Sequence, residues 1–116
     1  METTTELFVE PSAIVVGVPD DMLALCHEFL PAGGLKIFRV AQAHAACERI
    51  VAVLPQLVVV PAEMRSRDLD MIEDRAAAVG AIVLHLDPTH GYELLCAQLH
   101  LTVQDLRAKY GRRSLG

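Results

Sequence analysis

Four short apolar runs punctuate the chain, and each is followed by a stretch whose apolar residues recur every three or four positions. The runs are AIVVGV (13–18), LKIFRVA (35–41), QLVVVPA (56–62) and AIVLHLD (81–87). Three are continuous and rich in β-branched residues, as buried strands are, whereas LKIFRVA alternates apolar and polar side chains, as an edge or half-exposed strand does. Between the runs, Met22, Leu25, Cys26, Phe29 and Leu30 share one helical face. So do Ala43, Ala46, Cys47, Ile50, Val51 and Leu54, and then Leu69, Ile72 and Ala76. Local signals bound these helices: Asp20 and Ser66 are expected as N-caps, Pro31 with Gly33 and Gly34 as a stop, Pro55 as a second stop and Gly80 as a C-cap. Strands alternating with helices predict an α/β fold of three layers, a doubly wound parallel sheet with helices on both faces and right-handed crossovers.

The last segment breaks this rhythm. After Asp87 no further strand follows, and DPTHGYELLCAQLHLTVQDLRAKYG places Cys96, Leu99, Val103, Leu106 and Tyr110 at spacings of 3, 4, 3 and 4. That is a narrow apolar seam of the kind helices use to pair. A helix over 88–111, with Asp87 or Thr89 as cap and Pro88 near its first turn, spans roughly 30 Å or more at 1.5 Å per residue. This exceeds what a four-stranded core needs for cover. The chain thus divides into a loose leader (1–12), an α/β core (13–87), a long helix (88–111) and a tail (112–116).

Composition narrows the function classes. The 116 residues are 53% AVILMFWYC with no Trp, so the core is aliphatic, and one domain is expected. The formal net charge of −5 does not favour nucleic acid, because phosphate neutralisation needs a basic face. Three scattered cysteines speak for a reducing compartment rather than a disulfide framework. The N-terminus METTTELFVEPS has no basic or apolar signal region, and the longest apolar stretch, 50–62, is broken by Pro55 and Gln56. A cytoplasmic protein with no membrane segment is expected.

Two phrases carry a family resemblance. ERIVAVLPQLVVV, running into PQLVVVPAEM, is similar to the approach to the third strand of bacterial response-regulator receiver domains, and the resemblance covers about 13–87. It implies a receiver- or flavodoxin-like sheet of about four strands in the order 2-1-3-4, lacking the usual fifth strand. It also shows what is missing. Receivers hold a magnesium ion with two acids ending the first strand, and the matching positions here are Gly17 and Val18. Their phosphoacceptor Asp ends the third strand, where Pro61 stands, and their Thr or Ser at the end of the fourth matches His85. The fifth strand and its Lys have no counterpart. Phosphoryl transfer to a carboxylate needs an acceptor, a hard cation and a positive group near the phosphate, so the resemblance implies a degenerate receiver that is not phosphorylated and is not an enzyme.

Other chemistry is sparse. Asp20, Asp21, Glu63 and Asp87 are expected near the carboxyl ends of the strands, where such folds bind ligands. They form either an acidic rim for a metal ion or small molecule, or caps and solvated groups. Cys26 with His27, His44 with Cys47, and Cys96 with His100 invite a metal reading, yet each Cys sits on an apolar stripe and suits a structural role. His85 is expected as a structural histidine within a strand. GVPDD and AGGL lack the Lys and glycines of a phosphate loop, so no cofactor, resident metal or catalytic residue is expected.

Interaction remains. Without a fifth strand, the apolar AIVLHLD is a free edge unless something covers it. The long helix either folds back as that cover or pairs with a second copy, and its surplus length favours pairing. Leu95, Leu99, Val103, Leu106 and Tyr110 are the expected interface of a homodimer that meets a signalling or regulatory protein. The alternative is a small-molecule or metal sensor using the acidic rim.

Overall fold

A computed structural model describes residues 11–115, with side chains through Lys109. The elements are β1 (Ser12–Val16), α1 (Asp20–Ala32), β2 (Lys36–Val40), α2 (Ala43–Val53), β3 (Leu57–Pro61), α3 (Ser66–Val79), β4 (Ile82–Leu86) and α4 (Tyr92–Leu115). The strands form one parallel sheet in the order β2-β1-β3-β4.

β1 and β3 lie at the centre, and all their residues are buried. That is why their sequences are continuous apolar runs: each face of a central parallel strand meets helices. Alternation then sorts the side chains. Ala13, Val15, Leu57 and Val59 face one helical layer, and Ile14, Val16, Val58 and Val60 face the other. The first layer is α1 with α4 and the second is α2 with α3. β2 and β4 are the edges, and most of their residues are half-buried or exposed.

Several local expectations shift by a residue or more. Ser12 belongs to β1 and not to a leader, while residues 1–10 lie outside the described part. Pro31 does not stop α1 but sits in its last turn, and Gly33 closes the helix by donating to Phe29 and Leu30 carbonyls. Asp20 and Ser66 are first-turn residues rather than caps, because Pro19 and Arg65 occupy the cap positions. Gly80 does cap α3, with φ at 76°. Asp87 and Thr89 do not cap the last helix. They form a turn of their own, and α4 begins only at Tyr92, after Gly91 accepts from Leu94 and Leu95. α4 also runs to Leu115, through most of the expected tail.

The largest correction concerns the seam. Leu95, Leu99, Val103 and Leu106 are 0–9% exposed within the single chain, packed in the same cluster as Met22, Cys26 and Leu30 of α1 and Leu86 of β4. α1 contacts β1 and β2, so the other half of that sheet face needs cover, and α4 beside α1 supplies it. Burying each of these side chains contributes about 1.5–3 kcal/mol, and doing so within one chain avoids the entropy of association. The four leucine and valine side chains are therefore core, not a surface for a second copy. The Tyr110 side chain lies outside the described residues.

Candidate functional site

The carboxyl ends of the strands form the rim that such sheets use for ligands. At the end of β1, Gly17 takes φ of 59°, its N–H donates to the Val40 carbonyl at 2.8 Å, and a Cβ there would stand 3.1 Å from the Ala41 carbonyl oxygen. The turn thus selects glycine on backbone grounds. Val18 is half-buried against the core. Pro61 is the buried last residue of β3, in register with Leu86, and Ala62 N–H next to it donates to the Leu86 carbonyl at 2.9 Å.

The four acids expected around this rim do not converge. The Asp20 carboxylate is 98% exposed and lies 4.0 Å from the Arg39 guanidinium, a solvated pair of small energetic weight. Asp21 accepts from the Met22 N–H at 2.9 Å, in the first turn of α1. Glu63 is exposed. Asp87 accepts from the Thr89 N–H at 2.9 Å and the Thr89 hydroxyl at 2.7 Å, and its other oxygen is 3.7 Å from His90. The Thr89 N–H, then its hydroxyl, holds the Asp87 carboxyl below the usual carboxylate range. Among the described residues, no three His, Cys, Asp or Glu side chains are placed to hold a metal ion. The rim reading as a metal site is corrected accordingly: two of its acids serve local turns and two face solvent.

His85 is on β4 but points away from the rim, to the α3 layer. Its Nε2 lies 3.3 Å from Glu73 Oε2, both side chains being about two-fifths to one-half exposed (41% and 46%). No local pattern signals this pair, since the two residues are twelve positions apart and only the β4–α3 packing joins them.

The cysteines are separate from one another. Cys26 is fully buried, and burial pushes its thiol up to about 11. Cys47 is also raised, by burial first, with the Arg75 guanidinium beside it working the other way. Cys47 lies in a groove of about 630 Å³ between α2 and α3, lined also by His44, Glu48, Val51, Met71, Asp74 and Arg75. Val51, Leu54 and Met71 leave this side of the molecule with exposed apolar side chains. On α4, Leu94 and Leu101 are 49% and 57% exposed, two turns apart. Among the described residues, no helix is long and apolar enough to cross a membrane.

No family model and no curated protein matches the sequence. Among solved structures, the NMR structure of the pseudo-receiver domain of the CikA protein matches with a TM-score of 0.55 at 18% identity, covering 83% of this chain and 96% of that one. At that identity the likeness speaks for architecture: the chain has a receiver-like α/β fold, with four parallel strands and a long C-terminal helix.

Proposed function

We infer that this chain is a non-enzymatic, phosphorylation-independent receiver-like module that works by protein–protein contact in signal transduction or regulation. The observation that carries the reading is the composition of the strand tips. Pro61 offers no nucleophile at the end of β3, and the turn after β1 holds Gly17 and Val18, which have no oxygen side chains for a hard cation. The acids nearby are turned to local hydrogen bonds or to solvent. Exposed large apolar side chains offer contact surfaces: Val51, Leu54 and Met71 beside the α2–α3 groove, and Leu94 and Leu101 on α4. Pairing of two copies falls to the outward side of α4 at Leu94 and Leu101, since the buried seam is already occupied.

The test is incubation with acetyl phosphate and magnesium followed by intact-mass spectrometry. An unmodified mass is expected, and an added phosphoryl group on any carboxylate would reject the reading.

A further inference from the structure

We propose that the outer edge of β4 is a docking site for an extended peptide segment with basic residues at alternate positions, taken up as a fifth strand. The proposal rests on the reading of the chain as a contact module and names the partner chemistry of one contact. The hydrogen-bond phase of β4 sets the geometry. Ile82 N–H donates to the Gln56 carbonyl at 3.0 Å, and the Leu86 carbonyl accepts from Ala62 at 2.9 Å. Ile82, Leu84 and Leu86 therefore turn their backbone groups toward β3, and Val83 and His85 turn theirs outward. Among the described residues, no strand pairs with that side.

The two edges of the sheet are treated differently. β2 carries Lys36 and Arg39, both exposed, the charged side chains that natural edges use against further pairing. β4 reads Ile-Val-Leu-His-Leu and carries neither Lys, Arg, Asp, Glu nor Pro. Its charges sit beside it instead. Glu73 of α3 reaches His85, and Asp70, one turn earlier on the same side of α3, is also exposed. On the other face of the sheet, the Lys109 ammonium donates to the Gly80 carbonyl at 3.4 Å, which marks the side of α4 turned toward β4. Gln98 lies on that side three turns earlier, and its side-chain Oε1 is buried with no hydrogen-bond partner among the described residues.

These flanks select the occupant. A strand laid against β4 would alternate its side chains between the α3 face, with Glu73 and Asp70, and the α4 face, with half-buried Leu84 and the Gln98 carbonyl. Basic residues suit the first face, and apolar or small donor residues the second. A second copy of this chain, joined edge to edge about a two-fold axis, sets Glu73 and Asp70 against their own duplicates, so like charges meet.

The experiment titrates the full chain, observed by its backbone amide NMR signals, with capped hexapeptides of alternating Lys-Val and of alternating Glu-Val. The Lys-Val peptide is expected to shift the Val83 and His85 amides and the α3 signals around Glu73, and to weaken with added salt. Asp70→Lys with Glu73→Lys is expected to lose that binding by about tenfold or more and to accept the Glu-Val peptide instead. Val83→Pro, which removes an outward N–H, is expected to weaken both; if it fails to fold, the charge-reversal pair still decides. Absence of any β4 shift, or equal binding of both peptides by the native chain, would overturn the proposal. So would a mass of the chain alone that rises with concentration and falls back with Val83→Pro, because a second copy would then hold the edge. These results bear on the docking site alone, whereas a phosphoryl adduct would remove the reading beneath it.

Discussion

At the residue scale, three positions carry local consequences of the fold. Gly33 ends α1 where a Cβ would stand 2.5 Å from Val103 Cγ1 of α4. Its φ of −87° suits any residue, so the requirement is steric rather than conformational. Gly33→Ala is expected to lower stability by about 1–3 kcal/mol, and Val103→Ala in the same chain should recover part of that loss. Equal losses with and without the Val103 change in urea unfolding would disprove the contact. Leu54 caps α2 with φ of 54°, a left-handed conformation rarely adopted by a branched side chain, and it is about half exposed. Cys26 carries a pH signature. Its thiol is raised from 9.0 to about 11 in the fold, so its contribution is fully present below pH 9 and is lost as pH climbs toward 11. Stability measured across that window is expected to decline, and Cys26→Ala should flatten this part of the decline while lowering stability at neutral pH.

At the element scale, α4 is the instructive case. Its 3-4 spacing was legible in the sequence, but periodicity defines a face without saying what the face meets. A seam against a second helix and a seam against a sheet have the same signature. The deciding fact, that α1 packs on β1 and β2 while α4 beside it joins the same cluster as Leu84 and Leu86 of β4, belongs to the packing. The strands were legible because buried parallel strands need no polar positions, and 13–16 and 57–60 have none. The site was legible only as an absence: Gly17, Val18 and Pro61 could be read as lacking donors, whereas the direction of Asp87 into its Thr89 turn and the His85–Glu73 pair depend on backbone course. Leu99→Asp with Leu106→Asp is therefore expected to unfold the chain rather than to split a dimer. Loss of the helical circular dichroism signal would agree, and a folded monomer would show that the seam is not core.

At the scale of the whole molecule, four strands lie between two helical layers, β4 is bordered by α3 and α4, and among the described residues no strand pairs with its outer side. The rim that carries phosphoryl chemistry in receivers is here a set of backbone turns and a proline ring, and the proposed function therefore looks to faces and edges. Lys36 and Arg39 on β2, Val51 and Met71 beside the α2–α3 groove, and Leu94 and Leu101 on α4 are distinct surfaces around one core. The most direct check on the account is the amide NMR spectrum of the intact chain with magnesium, before and after beryllofluoride is added as a phosphoryl mimic. The account predicts superimposable spectra; shifts centred on Gly17, Val18 and residues 62–63 would contradict it.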